Sequence, residues 1–373
     1  MTRTLWVTND FPPRPGGIET FLAGLLARRA PGDTRVLASH WPGDAEHDAA
    51  VAYRVDRVGR RPLLPTPVLL RRVRAAADEL DAEVVVFGAA WPLGELAAWL
   101  DRPTLALTHG HEAGLARVGL GWLVRRVARR VTAVTAVSGY TGGLLGPWVA
   151  GHAPLHRLPP GVDTDAFHPG VDGAAVRERH GIAPDAPLAV CVGRLVARKG
   201  QDVLVEGWPL VRARLPEARL LLAGAGPMER RLRASMRALQ LDRAVTLAGP
   251  VGSADVPAHH AAADVFAMPC RSRLGGLDVE GLGIVYLEAQ ACGRPVVAGR
   301  SGGAPEALVD GQTGVVVDGR SPPAVAEALS GLLADGRRRA RMGAAGRAFV
   351  ARHHAWPAIA GRLEQILRQT ARG

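Results

Sequence analysis

Two carboxylates frame an apolar segment in the second half of the chain. Residues 277–289 read LDVEGLGIVYLEA, which places Glu280 and Glu288 eight positions apart around a Gly-Leu-Gly turn. A carboxylate in apolar surroundings is unfavourable unless it pairs with a charge or accepts hydrogen bonds. If a helix begins near Ile284, Glu280 lies in the loop before it and Glu288 lies one turn inside it. The two acids can then hold the hydroxyl groups of a sugar and a ribose, or Glu280 can simply cap the helix.

Two cations share one loop after an apolar run at residues 188–192. The loop reads GRLVARKGQD, and it contains Arg194 and Lys199, the only lysine among 46 basic residues. An ammonium is a compact point charge that a planar guanidinium does not replace. The pair can neutralise a diphosphate as it leaves a sugar, and a solvated basic loop is the alternative.

The first half offers glycines and histidines at similar places. Gly16 and Gly17 precede an apolar helical pattern, where free amides and the helix dipole attract a phosphate, although Pro-Gly-Gly can also be a plain turn. The full G-x-G-x-x-G dinucleotide spacing is missing. His109 and His111 follow the apolar run 104–108, where each can touch a ligand or serve as a structural hydrogen-bonding group.

Short apolar runs alternate with helix-length segments, which predicts an α/β protein with parallel sheets. The expected strands of the first half are residues 4–8, 35–39, 83–87, 104–108 and 133–136. Those of the second half are residues 188–192, 219–223, 245–247, 265–268, 295–298 and 314–317. The Pro- and Gly-rich stretch 156–170 separates two Rossmann-like series. Ligands of such sheets bind beyond the carboxyl ends of the strands, where the residues above lie.

The composition narrows the function classes. A net charge of +11 suits anionic partners, but aromatic residues make up 5% and no nucleic-acid recognition motif occurs, so we expect no nucleic acid. Cys191, Cys270 and Cys292 are widely spaced, which predicts a reduced chain without a zinc site. With neither a leader-like N-terminus nor an 18-residue apolar run, we expect a cytoplasmic protein whose membrane contact is peripheral.

The motifs GGIE, GRLVARKG, EGLGIVYLEAQACGRPVVA and SGGAPEAL resemble those of retaining glycosyltransferases of family 4. The resemblance implies the GT-B fold, with two facing Rossmann-like domains and a cleft between them. It implies an acceptor-binding domain over residues 1–165 and a nucleotide-sugar domain over 166–355. A last helix at about 356–373 is expected to pack back on the first domain.

The resemblance also assigns roles to particular residues. Catalysis falls to His109, Glu280, Arg194 and Lys199, with His111 as the alternative histidine. The base is expected near Pro250 and Val251. The nucleotide-sugar site as a whole comprises Gly16, Gly17, Arg194, Lys199, Val251, Glu280, Gly281, Leu282, Gly283, Ile284 and Glu288. Transfer would retain the configuration at the anomeric carbon. Because the sequence has no D-x-D motif, we expect that no metal or other cofactor is required and that Mg²⁺ is at most stimulatory.

More narrowly, MPCRSRLGGLDVEGLGIVYLEAQACG and THGHEAG are similar to actinobacterial GDP-mannose-dependent phosphatidylinositol mannosyltransferases. This similarity implies GDP-mannose as donor, a phosphatidylinositol mannoside as acceptor and an α-1,6 linkage, at the inner face of the plasma membrane. Another nucleotide sugar, UDP- or GDP-linked, with a different glycan or polyprenyl-linked acceptor stays an alternative. A nucleotide-sugar binding module without turnover and a hydride-transferring Rossmann enzyme are the rivals outside this class. The oligomeric state is left open.

Two basic segments are candidates for membrane contact. Helical spacing places five apolar residues on one side of the first segment and four arginines with a tryptophan on the other. The apolar set is Leu120, Leu123, Val124, Val127 and Val131, and the opposite set is Trp122, Arg125, Arg126, Arg129 and Arg130. The second segment comprises Arg60, Arg61, the apolar residues 63–70, Arg71 and Arg72. Either can instead be an ordinary solvated face.

Overall fold

The computed structural model describes residues 1–59 and 62–373, and for His111 it describes the backbone alone. The chain divides into two compact units, the first formed by Met1–Gly161 with Trp356–Gly373 and the second by Val162–Ala355. The division falls inside the Pro- and Gly-rich stretch 156–170. Arg60 and Arg61, which were candidates for membrane contact, lie outside the described residues.

The first unit contains a parallel sheet of seven strands within its described residues, in the order β3-β2-β1-β4-β5-β6-β7. The strands are β1 (Thr4–Thr8), β2 (Thr34–Ala38), β3 (Arg54–Arg57), β4 (Val84–Phe87), β5 (Thr104–Thr108), β6 (Ala133–Ala136) and β7 (Leu155–Arg157). The central strands are fully buried runs, as parallel strands covered on both faces must be. The edge strands β3 and β7 are short and polar, so the apolar pattern did not predict them.

Helices cover both faces of this sheet. They are α1 (Gly17–Leu26), α2 (Asp44–Ala50), α3 (Pro67–Leu80), α4 (His111–Leu115), α5 (Gly121–Ala128), α6 (Gly139–Val149) and, from the end of the chain, α14 (Trp356–Arg372). The Trp356 ring stacks on Phe21 at 6.4 Å, and a Cβ at Gly24 would lie 1.9 Å from that indole. The buried Arg29 pairs with Glu364 at 3.2 Å, which anchors α14 to the first unit.

The second unit contains a parallel sheet of six strands in the order β10-β9-β8-β11-β12-β13. The strands are β8 (Leu188–Val192), β9 (Arg219–Ala223), β10 (Val245–Gly249), β11 (Val265–Met268), β12 (Val296–Gly299) and β13 (Gly314–Val317). The helices are α7 (Ala174–Arg179), α8 (Gln201–Arg214), α9 (Glu229–Ala238), α10 (Val256–Ala262), α11 (Ile284–Ala291), α12 (Pro322–Ala334) and α13 (Gly336–His353). Each of the six strands predicted from the apolar pattern of this half is present, and α11 begins at Ile284 as expected.

The strand order decides which loops meet in the second unit. Strand β11 lies between β8 and β12, and all three run parallel. The loops that follow them therefore leave the same edge of the sheet. These loops carry Lys199, Glu280 and Ser301, which are far apart in the sequence.

Candidate functional site

An ion pair between Lys199 and Glu280 forms the centre of the candidate site in the second unit. Lys199 Nζ lies 2.7 Å from Glu280 Oε2, and the two side chains are only 12% and 9% exposed. Lys199 ends a 3₁₀ turn, after which Gly200 adopts a left-handed φ of +79°. A Cβ at Gly200 would lie 2.1 Å from the carbonyl oxygen of Pro269, so glycine lets the loops after β8 and β11 touch.

The charges around Glu280 keep its carboxylate ionised despite burial. Burial by itself favours the neutral acid, but the positive charges of Lys199 and of Arg198, whose Nε lies 3.8 Å away, outweigh it and hold the pKa of Glu280 below its ordinary value. Glu280 does not cap α11, because Gly283 stands at the N-cap and no side chain caps that helix. Glu280 is therefore a buried hydrogen-bond acceptor next to two cations.

The backbone of Glu280 is fixed by the loop after β12. Its carbonyl oxygen accepts a hydrogen bond from the amide of Gly303 at 2.9 Å. Gly302 has a left-handed φ of +54°, and a Cβ there would lie 2.1 Å from the same carbonyl oxygen. The Ser301 hydroxyl lies 3.4 Å from the Glu280 amide, as its acceptor. These contacts leave the carboxylate little freedom, as a positioned site requires.

The start of α11 is shaped by glycine. Gly281 and Ile284 are partly exposed, whereas Leu282 is buried in the core. Gly283 adopts a left-handed φ of +89°, and a Cβ there would lie 2.5 Å from the Tyr286 ring. The Tyr286 hydroxyl donates to the carbonyl oxygen of Met268 at 2.5 Å, which ties the helix to the end of β11. The uncapped amides of this helix start suit a hydroxyl or phosphate oxygen.

Arg194 lies in the predicted loop but apart from the buried pair. Its side chain is exposed, and its guanidinium forms no ion pair within residues 1–59 and 62–373. The Gln201 side chain donates to its carbonyl oxygen at 3.1 Å. Lys199 and Arg194 thus share a loop, one held by an acid and the other available to an anion.

Sequence reasoning missed Arg198 and Asp278. Arg198 Nη1 lies 3.7 Å from Asp278 Oδ1, in addition to its approach to Glu280. Arg273 approaches the same aspartate at 3.8 Å. The only signal in the sequence was the position of Arg198 directly before the lone lysine. In a loop that also contains Arg194, that position did not mark Arg198 as a site residue.

Glu288 lies one turn inside α11, as its spacing predicted, and its carboxylate faces a buried histidine. Glu288 Oε2 is 3.4 Å from His260 Nε2, and the two side chains are 12% and 0% exposed. His260 comes from α10, which the sequence did not single out. Val251, in the loop before α10, is partly buried and packs against the core of the second unit.

In the first unit, His109 follows β5 as predicted. Its Nε2 lies 2.6 Å from the carbonyl oxygen of Gly88, which follows β4. Its amide donates to Glu112 Oε2 at 3.2 Å, and the ring meets Phe21 edge-on at 5.7 Å. The buried Glu112 also accepts from the amide of Ala90 at 3.2 Å and was not predicted from the sequence. The His111 side chain lies outside the described part of the chain.

Gly16 and Gly17 stand at the start of α1, with Gly16 at the N-cap. A Cβ at Gly16 would lie 2.2 Å from Glu19 Oε2, whereas one at Gly17 would meet nothing within 4 Å. Glu19 is buried and pairs with Arg14 at 3.0 Å. An acid of the chain therefore already lies close to this helix start, and phosphate binding there stays a prediction.

Comparison with known proteins decides the family. Residues 15–166 match the family described as "Glycosyltransferase Family 4", and residues 173–349 match "Glycosyl transferases group 1". A GDP-mannose-dependent alpha-(1-6)-phosphatidylinositol monomannoside mannosyltransferase of Mycolicibacterium smegmatis is 45% identical, with 97% of each chain covered. The chain belongs to glycosyltransferase family 4. A GDP-mannose-dependent monoacylated alpha-(1-6)-phosphatidylinositol monomannoside mannosyltransferase of Corynebacterium glutamicum is 41% identical, with 99% of each chain covered.

Solved structures agree on the fold of this glycosyltransferase. HepE of Anabaena, in complex with UDP and glucose, matches with a TM-score of 0.82 and 20% identity over 99% of this chain and 100% of that one. WaaG, a glycosyltransferase involved in lipopolysaccharide biosynthesis, matches with a TM-score of 0.71 and 19% identity over 98% and 99%. The predicted GT-B class, with two parallel-sheet α/β domains, is confirmed.

The predicted basic face of residues 120–131 needs correction. Arg126 and Arg130 both pair with the buried Glu95 of the Leu93–Trp99 turn, the former at 2.9 Å, so they are bound to the protein. Leu120 is 40% exposed and does not lie on the buried side, because Gly119 adopts a left-handed φ of +83° and breaks the helix before α5. Trp122 is 51% exposed.

Four of the five residues predicted on the polar side of this segment, Trp122, Arg125, Arg126 and Arg129, are exposed, and Arg130 is half-buried. Val118, Leu120, Trp122 and Arg129 are exposed, and we call these four residues the Trp122 patch. Leu123 is half-buried and Val124, Val127 and Val131 are buried as predicted, whereas Arg125 is exposed with its guanidinium 5.1 Å from the Trp148 ring centroid. In the second segment Leu64, Val68, Arg71 and Arg72 are exposed, at the start of α3 and just before it. No helix in the described part of the chain is long and apolar enough to cross a bilayer.

Proposed function

We propose that this enzyme transfers mannose from GDP-mannose to a phosphatidylinositol monomannoside, with retention at the anomeric carbon and formation of an α-1,6 linkage. The observation that carries the proposal is the buried, ionised Glu280 held 2.7 Å from Lys199 at the carboxyl edge of the second sheet. A carboxylate next to a cation there suits an activated sugar, whose hydroxyls need an acceptor and whose diphosphate needs positive charge. The names of the relatives support mannose, guanine and the lipid acceptor.

We assign the donor to the second unit. Glu280 accepts hydrogen bonds from the sugar hydroxyls, and Lys199 with Arg194 neutralises the diphosphate. The amides from Gly281 to Ile284 bind oxygens of the donor, Glu288 accepts from the ribose, and the loop at Val251 receives the base. The family resemblance also assigns roles to residues of the first unit. It gives phosphate contacts to Gly16 and Gly17 and a sugar contact to His109.

The reaction exchanges one C–O bond for another at the anomeric carbon. The bond to the diphosphate breaks as the acceptor hydroxyl forms its bond on the same face of the sugar, and the hydroxyl proton leaves with the departing phosphate. Negative charge grows on the diphosphate, so the fixed charges of Lys199 and Arg194 lower the barrier. A low dielectric around the buried pair strengthens that effect.

We further propose that the enzyme works at the inner face of the plasma membrane, with the Trp122 patch touching the anionic surface. An exposed tryptophan with neighbouring apolar side chains and an arginine suits the boundary between headgroups and acyl chains. The exposed residues at the start of α3 are a second contact of the same chemistry.

A donor and acceptor panel tests the transfer. Radiolabelled GDP-mannose, GDP-glucose, UDP-glucose and UDP-N-acetylglucosamine are each offered with phosphatidylinositol monomannoside vesicles, and labelled lipid is counted. We expect label from GDP-mannose alone. Glu280→Gln should lower transfer at least a hundredfold, whereas Glu327→Gln, at a surface pair whose carboxylate side chain is 67% exposed, should leave it unchanged. Transfer from a different donor, or to a soluble glycan only, would contradict the assignment.

Co-sedimentation tests the membrane contact. Vesicles containing phosphatidylinositol should retain the wild type, and Trp122→Ser should weaken retention about tenfold, because roughly 1–2 kcal/mol of apolar burial is lost. The control is Leu210→Ser, which changes a residue of the second unit that is 48% exposed. Equal retention of both variants would assign the contact to another surface.

A further inference from the structure

His260 is an unusual buried histidine in the second unit. Its side chain is 0% exposed, and neither ring nitrogen has a hydrogen-bond partner within the described residues. Phe167 and Phe266 enclose the ring, with centroid distances of 5.9 and 5.1 Å. A buried polar ring without hydrogen bonds costs folding free energy, so its presence needs an explanation in terms of a neighbour.

That neighbour is Glu288. His260 Nε2 points toward Glu288 Oε2 at 3.4 Å, slightly longer than a good hydrogen bond. Within residues 1–59 and 62–373 no other side chain pairs with this carboxylate. The Glu288 side chain keeps 12% of its surface exposed, whereas the imidazole next to it is fully buried.

We propose that His260 is a positioning residue, which holds the Glu288 carboxylate so that its second oxygen accepts a hydrogen bond from the ribose of the nucleotide sugar. This inference rests on the proposed donor site. A proton on Nε2 gives one carboxylate oxygen a donor and fixes the side-chain torsion, which leaves the other oxygen aimed at the ligand. Because the aromatic rings prevent the imidazole from turning away, the carboxylate is ordered before the nucleotide binds.

The test compares nucleotides that differ in a single hydroxyl. Isothermal titration gives Kd for GDP, 2′-deoxy-GDP and 3′-deoxy-GDP with the wild type, His260→Phe, His260→Gln and Glu288→Gln. In the wild type we expect GDP to bind about tenfold more tightly than one of the deoxynucleotides, the size of one hydrogen bond to a charged group. That ratio should fall to about two or less in His260→Phe and in Glu288→Gln.

His260→Gln should restore most of the discrimination, because an amide Nε2 can donate where the imidazole did. The matched control is His259→Phe, a change of the neighbouring residue of α10, which is 2% exposed and whose Nδ1 contacts the carbonyl oxygen of Asp255 at 2.7 Å. His259→Phe should keep the wild-type ratio. The ratio is independent of the fraction of folded protein, so a loss of stability in a variant does not imitate the effect.

Two results would overturn the inference. The first is a wild-type ratio in His260→Phe together with a lost ratio in Glu288→Gln, which would make His260 a packing residue and leave the donor site intact. The second is an unchanged ratio in Glu288→Gln, which would show that Glu288 does not bind the ribose hydroxyl and that His260 therefore cannot position it for that role. The same series is repeated with UDP and its deoxy forms, because both nucleotides carry the ribose. If the protein discriminates the UDP forms but not the GDP forms, the proposed guanine base is wrong and the inference about the ribose stands.

Discussion

Replacement of Lys199 by methionine should destabilise the second unit through Glu280. At 2.7 Å and an effective dielectric constant of about 20, the Coulomb attraction is about 6 kcal/mol before desolvation is subtracted. Loss of one partner of a buried pair generally costs about 3–5 kcal/mol. Arg198 remains 3.8 Å from the carboxylate, so we expect the lower end, about 3 kcal/mol in the free energy of unfolding.

The sign of the pH dependence follows from the pKa of Glu280, which Lys199 and Arg198 hold below its ordinary value against the opposing effect of burial. The stability from the wild-type pair is present above the unfolded pKa of about 4.3 and is lost as the pH falls through the lower folded value. Without Lys199 only Arg198 opposes the effect of burial on the pKa of Glu280, so that pKa rises and the folded acid takes up a proton at higher pH. The difference between wild type and Lys199→Met should therefore be largest near pH 7 and shrink toward pH 4.

Urea unfolding followed by circular dichroism at pH 7.5 and pH 4.0 measures this difference. The control is Arg214→Met, which breaks a pair with Glu327 at 2.6 Å whose side chains are 58% and 67% exposed. We expect less than about 1 kcal/mol there. A double-mutant cycle with Glu280→Gln isolates the pairwise energy. A loss at Lys199 no larger than the control, or an equal loss at both pH values, would refute the electrostatic reasoning.

Three further expectations concern other parts of the molecule. Glu95→Gln should lower the unfolding free energy by about 2 kcal/mol, because the buried carboxylate holds Arg126 at 2.9 Å; urea unfolding checks it, and a loss below about 0.5 kcal/mol would contradict it. Gly302→Ala should cost over about 3 kcal/mol, since its Cβ would meet a carbonyl oxygen at 2.1 Å, whereas Gly311→Ala, left-handed but with nothing within 4 Å, should cost about 1 kcal/mol; equal costs would oppose the steric argument. Transfer from GDP-mannose should survive excess EDTA, and activity that disappears and returns with Mg²⁺ would show a required metal.

Much of the fold could be read from the chain because parallel strands buried on both faces leave long apolar runs. In the second sheet the central strands β8, β11 and β12 are fully buried runs, and the edge strands β10 and β13 are apolar enough to be found although they are only partly buried. The edge strands β3 and β7 could not be predicted from apolar runs, because their residues are largely polar. Such a strand forms by pairing with the neighbouring strand, which the local sequence does not reveal.

The basic helix shows where spacing stops being informative. Helical periodicity correctly buries Val124, Val127 and Val131, but it cannot foresee that Glu95, from another segment, takes Arg126 and Arg130. It also places Leu120 inside the helix, whereas the left-handed Gly119 lets α5 begin only at Gly121. Whether a charged side chain is already paired depends on partners that are distant in sequence, so a count of arginines overstates the number of arginines that are free to bind an anionic surface.

The sequence by itself determined the alternation of strands and helices, the family motifs and the placement of Lys199 and Glu280 after their strands. Local propensity and apolar periodicity act over a few residues, and that range is enough for those features. Only the tertiary structure decided that Lys199 pairs with Glu280, that Arg198 lies close to the same carboxylate and that the His260 ring contacts Glu288. Those contacts depend on the order of β8, β11 and β12 in the sheet and on the packing of α10 against α11, which bring together residues far apart along the chain.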